Sequence, residues 1–531
     1  MKKNLLALAL ILAAVLGGVA ELRGWLLPTI SWPFSASREL SFLSCEGEWC
    51  PTLAVDGRVH WFGWASMLVT ACLGIYLLLR SGIRISPEAA RRIRHFRRLK
   101  RGRISLFIML GILALAAMDQ VLVGKRALAV QTQQGEWYFP AFHRNMLPGS
   151  LFGLQGNAAL AEPNYRSLHA QLGKFGGPQF VLLPLIPWDP TTDAAPFPTE
   201  QLPVKDGKLY SADGKRLFDG QACCLYPDGN AHLRIRYRKG IPDGQVQGWT
   251  PDRREVYAAT YRQGALLRER YSGEDAMPLQ EFLRASAQDY YLIHYHPAPP
   301  LQGGHILGTD SQGTDIAALL FGGLQVNIKA ALFYLPAIYG IGLTLGMLMG
   351  YWGGKFDLIT QRGIEIISQL PFLFIVMILT DFVPLDLRGM FVTLILLALF
   401  GWMPMTYLIR TATMREKTRD YVSAARVMGA GPLHILRRHI LPNLTGIIVT
   451  LIPFSVAVVI LSLTSLDYLG FGLPETYASW GRLLNDGLSK LSSPWIASSA
   501  FGALVLVLLL ITFIGEALRE AIDPHSSDHY E

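Results

Sequence analysis

Residues 420–442 read DYVSAARVMGAGPLHILRRHILP, a polar and basic stretch that stands between strongly apolar ones. Apolar residues recur at helical spacing on each side of a glycine break, which predicts two short helices joined at Gly429 to Gly431. The predicted apolar stripes contain Tyr421, Ala424, Ala425 and Met428 in the first helix and Leu433, Leu436 and Ile440 in the second. At a membrane surface, such an element is either a docking site for a soluble partner or an ordinary surface loop.

The composition around this stretch indicates an integral membrane protein. The chain has 531 residues, of which 51% are hydrophobic and only 17% are charged. About 20 apolar residues cross a bilayer as a helix. Eight stretches approach that length: 4–20, 61–80, 104–124, 326–350, 364–383, 390–409, 444–466 and 497–517. The first has the features of a signal peptide, but we interpret it as an uncleaved helix because Glu21 and Arg23 follow it. We expect an all-α polytopic membrane protein with about eight transmembrane helices.

The net charge of +8 is concentrated in two segments. Residues 80–103 hold ten Lys or Arg and one acid, and residues 410–438 hold seven and two. Positive loops face the cytoplasm, so both segments and both termini are predicted inside, with residues 21–60 and 125–325 outside. The cluster at 91–98 either binds anionic lipid or only fixes the topology. No nucleic-acid partner is required.

The span pattern divides the chain into parts. These are an N-terminal hairpin (1–80), a basic cytoplasmic segment with the next helix (81–124), an external domain (125–325), a core of five helices with the loop 415–442 (326–524), and a tail (525–531). Cys45 and Cys50 fall in the first external loop, where a disulfide is permitted. The cysteines show no metal-ligand spacing.

A second motif, HILGTDSQGTDIAALLFGG, covers residues 305–323. Asp310 can cap the following helix with its side-chain oxygen. Asp310 and Asp315 are residue types found in metal and acid–base sites, but no third ligand follows them. The next helix contains Gly340, Gly342, Gly346 and Gly350, which allow another helix to approach closely.

The opening stretch resembles the EAA loop of ABC-importer permeases. In that pattern Ala424, Ala425, Gly429, Leu441 and Pro442 are in register, while Ser423 replaces a glutamate and His439 an isoleucine. The resemblance implies that residues 415–442 are the coupling loop, which sits in a groove of an ATPase subunit. A specific polar contact made by the missing glutamate is not expected here.

Further motifs resemble the dipeptide and oligopeptide branch of that family. The external motif is matched by Gly308, Thr309, Asp310, Gly313 and Asp315, with Thr314 in place of an arginine, and the outer-face motif is matched by Asp467, Gly470 and Gly472. The stretches GKRALAV, GEWYFPAF and PLIPWDPTTD are similar to the Yej-type permeases of microcin C and oligopeptide importers. The resemblance covers roughly 85–195 and 296–524.

Residues 196–295 look like an insertion with an internal repeat. Residues 220–243 align with 244–267 at a period of 24, and their Pro-Asp-Gly turns predict β-hairpins in a small antiparallel sheet. We therefore expect a mixed or β-rich periplasmic domain on a type I importer bundle. The insertion is either a platform for a substrate-binding protein or an inert surface elaboration.

The family resemblance implies a permease subunit of an ATP-driven importer for short peptides in the bacterial inner membrane. Its partners would be a second permease, two ABC ATPase subunits and a periplasmic substrate-binding protein. The chain has no Gly-x4-Gly-Lys-Ser/Thr loop, so ATP would be bound by the partner, and no cofactor or catalytic residue is expected. Two alternatives remain: a non-transporting membrane sensor or scaffold that uses the insertion, and the same transport with nickel or a peptide antibiotic as cargo.

Overall fold

A computed structural model describes most of the chain. The described residues are 2–23, 68, 70–76, 87–143, 147–154, 159–160, 162–170, 172, 178–191, 199–226, 231–250, 254–272, 279–284, 289–293, 297–384 and 389–522. Cys45 and Cys50, the tail 525–531 and most of the predicted span 61–80 lie outside them. The chain forms two compact units, Met1–Asp193 with Ile316–Glu531, and Ala194–Asp315.

The larger unit consists mainly of α-helices, and the smaller unit consists mainly of β-strands. The α-helices are α1 (Lys2–Arg23), α2 (Pro87–Arg98), α3 (Lys100–Ala117), α4 (Asp119–Leu122), α5 (Tyr165–Ala170), α6 (Leu279–Arg284), α7 (Ile316–Trp352), α8 (Gly354–Ser368), α9 (Phe372–Phe382), α10 (Met390–Gly401), α11 (Met403–Lys417), α12 (Asp420–Val427), α13 (Pro432–Ile435), α14 (Leu441–Tyr468), α15 (Trp480–Ser489) and α16 (Pro494–Ile522). The strands are β1 (Ala129–Gln131), β2 (Trp137–Tyr138), β3 (Phe180–Leu182), β4 (Thr199–Leu202), β5 (Val204–Lys205), β6 (Lys208–Leu209), β7 (Gly220–Leu225), β8 (Ala231–Arg238), β9 (Ile241–Trp249), β10 (Glu255–Arg262), β11 (Ala265–Tyr271) and β12 (Tyr290–Ile293).

Three to five candidate membrane spans occur among the described residues. Three helical stretches are long and apolar enough: 316–352, 432–468 and 494–522. Two bent pairs add one span each if each pair crosses as a unit: α8 with α9 at 79°, and α10 with α11 at 43°. The five stretches predicted from residue 326 onward overlap these helices. The total of eight remains a prediction.

Prolines stand at both bends. Pro371 precedes α9, and Pro404 is in the first turn of α11. Because proline lacks the backbone N–H and its ring clashes with the preceding turn, a helix bends or ends there. The two prolines therefore indicate the bends in the sequence, whereas the apolar stretches identified by hydropathy continue across them.

Close helix packing in the first unit depends on a glycine row along α7. A Cβ atom added at Gly342, Gly346 or Gly350 would lie within 3.0 Å of α11 atoms, and at Gly346 it would be 2.7 Å from the Thr406 carbonyl oxygen. The backbones of α7 and α11 therefore approach as the small residues predicted. Gly340 does not take part, because a Cβ there would meet nothing within 4 Å.

Replacing Gly346 with leucine is expected to destabilise the bundle by about 1–3 kcal/mol, since α11 must move to make room. The measurement is thermal unfolding of the full chain in detergent. Gly340→Leu is the matched control, on the same helix with open space around it, and it should unfold like the parent. Equal losses in the two variants would contradict the packing argument.

The smaller unit, 194–315, is built around a seven-stranded antiparallel sheet. Its strand order is β11-β10-β9-β8-β7-β12-β4. The repeat appears as equivalent tight turns 24 residues apart: Lys239 and Gly240 have φ of 50° and 75°, and Gln263 and Gly264 have 49° and 85°. Two successive residues with positive φ are typical of the two-residue hairpin turn that matches strand twist.

The predicted antiparallel strands are present, but one predicted turn is wrong. The Pro-Asp-Gly sequence at 242–244 lies inside β9 instead of at a turn. The positive-φ pair Lys239 and Gly240 makes the turn just before it, because glycine adopts that conformation without a Cβ clash. The other Pro-Asp-Gly, at 227–229, lies outside the described residues.

Candidate functional site

The candidate coupling loop is a helix, a glycine break and a second helix, as the sequence predicts. The first helix is α12, and the second begins at Pro432 as α13, continues through a π-helical turn (Leu436–Ile440) and runs into α14. Gly429 ends α12 with φ of 83°. Its N–H donates to the Arg426 carbonyl at 2.9 Å, and the Ala430 N–H donates to the Ala425 carbonyl at 3.0 Å. These bonds satisfy carbonyls that the helix end would otherwise leave open.

The loop packs on the bundle through a stripe that partly matches the predicted one, with Ala425, Leu436 and Ile440 in common. The inward side chains are fully or almost fully buried: Val422, Ala425, Ile435, Leu436 and Ile440. Of the predicted stripe residues, Ala424, Met428 and Leu433 are exposed. The eight residues of α12 make little more than two turns, so spacing alone does not fix which of its sides packs inward.

The outward side of the loop carries an apolar patch. Val427, Met428 and Leu433 are 89%, 79% and 65% exposed, and we name these three residues the docking patch. Arg426, Arg437 and Arg438 are also exposed on the loop. Apolar side chains that stand clear of the core beside cationic ones are typical of a surface that a protein partner covers.

Aromatic side chains hold the loop to neighbouring helices. The Tyr421 hydroxyl donates to Glu416 Oε2 at 2.6 Å, and burial together with this hydrogen bond raises the pKa of Tyr421 to about 12. The Tyr351 ring, at the end of α7, lies 5.6 Å from Lys417 Nζ and 5.4 Å from the Arg426 guanidinium. Cation–π contacts of this kind link α7 directly to the loop.

The two residues that depart from the EAA pattern occupy different environments. Ser423 is exposed on the outward side, next to Ala424. His439 is half-buried, with its ring 6.4 Å from Tyr421 and 5.8 Å from His434, and its carbonyl accepts from Asn443 Nδ2 at 2.8 Å. Leu441 and Pro442 follow as the first residues of α14, directly after the π-helical turn.

Replacing Gly429 with valine is expected to destabilise the folded conformation of the loop by about 1–2 kcal/mol, because a β-branched residue is strained at positive φ. Space is not the cause, since nothing lies within 4 Å of a Cβ at this position. We expect ATP-dependent uptake to fall in this variant. Gly431→Val is the control, because Gly431 has the same open surroundings but a φ of −71°. Normal uptake by both variants would contradict the role given to Gly429.

The motif at 305–315 forms a tightly bonded turn. Asp310 Oδ1 accepts from the Gln312 and Thr314 N–H groups at 2.9 and 2.8 Å. Asp310 therefore caps this turn, and the prediction that it caps the helix is wrong, since α7 begins at Ile316. His305 Nδ1 lies 2.8 Å from Asp315 Oδ2, and both side chains are 1% exposed. The sequence analysis missed this pair.

Two other motif residues explain why the turn is so compact. The Ala298 N–H donates to Thr309 Oγ1 at 2.8 Å, and the Thr309 N–H donates to the Ala298 carbonyl at 2.9 Å. Gly308 has φ of 81°, and a Cβ there would lie 2.4 Å from that carbonyl oxygen. Gly313, with φ of 88°, closes the Asp310 turn. The motif thus fixes backbone geometry and presents no open cluster of ligands.

The segment after α14 is organised by the buried carboxylate of Asp467. It accepts from the Leu473 N–H at 2.7 Å and from Ser479 Oγ at 2.5 Å. Gly472 packs so closely that a Cβ would collide with Asp467 Oδ1. Gly470, at φ of 83°, turns the chain. The three predicted outer-face residues therefore form one folded loop.

A buried ion pair joins two helices near the coupling loop. Arg410 on α11 donates from Nε and Nη2 to Asp357 on α8 at 2.5 and 2.6 Å. The Asp357 side chain is 7% exposed and that of Arg410 is 21% exposed. Sequence spacing gives no signal for a contact between residues 53 positions apart. The pair connects α8 to the helix that ends three residues before α12.

Comparisons with known proteins match this chain to a family of permeases. Residues 342–528 match the profile described as "Binding-protein-dependent transport system inner membrane component". The chain is also 36% identical over 228 residues to the oligopeptide transport system permease protein OppC of Escherichia coli K12, a match that covers 43% of this chain and 74% of OppC. The chain belongs to this permease family. The matched region of the permease contains the coupling loop, the Asp357–Arg410 pair and the Asp467 segment.

Two Yej proteins are also similar to this permease. The peptidoglycan transport system permease protein YejE of Agrobacterium fabrum is 38% identical over 221 residues, covering 42% of this permease and 57% of that relative. The inner membrane ABC transporter permease protein YejE of E. coli K12 is 38% identical over 231 residues, covering 44% and 67%. The predicted likeness to Yej-type and oligopeptide permeases is thus confirmed. The match spans little more than half of the Agrobacterium relative.

Proposed function

We propose that this permease is a transmembrane subunit of an ATP-driven importer for short peptides. It would form half of the translocation path, with a second permease forming the other half. Two ABC ATPase subunits would hydrolyse ATP, and a periplasmic substrate-binding protein would deliver the peptide. The relatives support this assignment, because their names are those of permeases for oligopeptide and peptidoglycan transport.

The observation that carries the proposal is the docking patch. Val427 and Met428 are the most exposed large apolar side chains of the loop, and they lie on the segment that resembles the EAA motif. Leaving them in water has no structural benefit for the isolated chain, whereas covering each one would contribute about 1.5–3 kcal/mol. An ATPase groove is the occupant that the family resemblance implies.

The proposed topology places the coupling loop and both termini in the cytoplasm. The basic segment 80–103 supports this orientation by the positive-inside rule. It would leave residues 125–325, including the unit 194–315, in the periplasm of a bacterial inner membrane. The substrate-binding protein would then meet the permease on the periplasmic side.

Energy would pass from the ATPase to the bundle through contacts of the loop. When the ATPases close, the loop would move with them, and the Tyr351 contacts and the Asp357–Arg410 pair would carry the movement to α7 and α8. The bundle would then switch between inward-open and outward-open states. A partner shifts such an equilibrium only by binding one state better than the other, so contact at the loop is the necessary link.

Reconstitution of all four kinds of subunit in proteoliposomes tests the proposal. We expect uptake of a labelled oligopeptide that requires ATP, the binding protein and this chain. Failure of the ATPase to bind 415–442 would favour a non-transporting sensor or scaffold. Uptake of nickel, a peptide antibiotic or a peptidoglycan fragment in place of the oligopeptide would keep the mechanism and change the cargo.

A further inference from the structure

The sheet of the unit 194–315 has two unlike faces. One face is apolar and is covered by α6: Leu233, Val246 and Tyr257 are buried, and the Phe282 ring of α6 lies 5.9 Å from that of Tyr257. Side chains alternate between faces along each strand, so the residues between these belong to the opposite face. That opposite face is polar and has a strongly positive charge.

Four arginines lie on the polar face in two rows. The first row runs across four neighbouring strands, because Arg270 pairs with Ala258, Ala258 with Gln247, and Gln247 with Arg234. Arg236 and Arg268 follow two residues away on β8 and β11 and therefore point to the same side. We name Arg234, Arg236, Arg268 and Arg270 the arginine face. Three strand spacings, about 14 Å, separate its two edges.

The arginine face is available to a ligand. Arg236, Arg268 and Arg270 are exposed, and among the described residues no ion pair joins any of the three to an acidic side chain. Arg234 is half-buried, with its guanidinium 5.2 Å from the Trp249 ring. Glu255 is the acid nearest the middle of the face, 3.5 Å from Gln247 Nε2. The face therefore keeps a large net positive charge.

The strand at the rim of the face is also open. β11 is the edge strand of the sheet, and from Ala265 to Arg270 every residue is exposed. Arg268 and Arg270 are thus presented at an edge with no further strand beside it among the described residues. An approaching partner can reach both arginines from the side as well as from the face.

We propose that the arginine face docks an acidic protein surface, namely a patch of Asp and Glu side chains on the substrate-binding protein. The inference rests on the proposed function, which places that protein on the same side of the membrane. Guanidinium groups bind carboxylates bidentately, and opposed potentials steer two proteins into register and raise the association rate. Gln245, Gln247 and Thr260 lie on the two strands between the arginine pair of β8 and that of β11, and they supply the neutral hydrogen-bonding groups of a polar, transient interface.

Other anionic partners fit this face less well. A lipid surface favours apolar side chains beside the cations; Leu266 and Leu267 are exposed on β11, but the two rows themselves hold Arg, Gln, Thr and Ala. An acidic glycan favours open aromatic platforms, whereas Trp249 has the Arg234 guanidinium against its ring. Two arginine pairs about 14 Å apart match the spacing of side chains on a folded protein.

The test uses the full-length permease in detergent and the proposed periplasmic substrate-binding protein. We expect the triple variant Arg236→Glu, Arg268→Glu, Arg270→Glu to weaken binding by at least 10-fold at low salt. Because exposed charges are screened, the difference should shrink at high salt. The neutral triple to glutamine should lose less affinity than the glutamate triple, which separates charge from shape.

The matched control is Lys208→Glu, Lys215→Glu, Arg216→Glu, three exposed cations of the same unit that lie off the seven-stranded sheet. It makes the same change in net charge and should bind like the parent. Unchanged binding of the substrate-binding protein by the arginine triple would overturn the inference. So would a result in which the arginine triple loses binding only to alginate, a probe for an acidic glycan, or to phosphatidylglycerol vesicles, a probe for an anionic lipid surface. Peptide uptake, measured separately, tests the proposed function. If uptake is intact but the arginine triple binds the substrate-binding protein like the parent, only this inference is wrong. If uptake is absent but the arginine triple weakens that binding, only the importer function is wrong.

Discussion

Replacing Val427, Met428 and Leu433 together with aspartate is expected to weaken binding of the ATPase subunit by about 100-fold or more. The three side chains are 65–89% exposed, so the isolated chain should fold normally without them. In the complex, each carboxylate would meet a surface that had covered an apolar group. Losing a central interface contact costs about 1–4 kcal/mol, and every 1.4 kcal/mol is a factor of ten in affinity.

The measurement is the dissociation constant between the purified ATPase and the full-length permease in detergent, followed by ATP-dependent uptake. The control is Leu469→Asp, Leu488→Asp, Leu491→Asp, three exposed leucines beyond the other end of α14. It adds the same three carboxylates about 40 Å away along that helix and should leave ATPase binding unchanged. Tight ATPase binding by the triple aspartate variant would contradict the proposal that the docking patch contacts the ATPase.

The docking patch also shows where sequence reasoning succeeds and where it stops. Gly429 and Pro432 identify the helix break, because their backbone preferences are local. The inward face was predicted only in part: Ala425 was placed correctly, but α12 is too short for its periodicity to separate Val422 from Ala424 and Met428. Packing against the rest of the bundle determines which side of α12 is buried, and Met428 is on the exposed side. The role of 415–442 as a coupling loop remains a prediction, and the resemblance did not indicate which of its side chains are exposed.

The same limit applies to the polar contacts. The glycine row of α7 was predicted to pack closely because small residues have one structural consequence in a helix. Asp357 and Arg410 were not paired in advance, because 53 residues and two helix bends separate them. His305 and Asp315 are only ten residues apart, yet the chain between them follows irregular turns that periodicity does not describe. Contacts that depend on tertiary geometry have no characteristic residue spacing in the sequence, so they could not be predicted from it.

Breaking the Asp357–Arg410 pair is expected to cost stability, up to about 3–5 kcal/mol when Arg410 is removed, because Asp357 is then left buried and unpaired. Asp357→Leu and Arg410→Met should therefore each unfold at lower temperature than the parent. The double variant Asp357→Leu, Arg410→Met removes both charges and should regain most of the lost stability. The double-mutant cycle should give a coupling energy well above the roughly 0.5 kcal/mol scatter of independent sites.

Arg362 and Glu365 provide the control on the same helix as Asp357. Their side chains lie 2.6 Å apart but are 76% and 36% exposed. An exposed pair contributes at most about 1 kcal/mol, so Arg362→Met should change the unfolding temperature little. If the two pairs gave equal effects, burial would not be the reason for the Asp357–Arg410 contribution. If the double variant folds but has lost ATP-dependent uptake, the pair also carries loop movement to α8; full uptake would limit it to holding the fold.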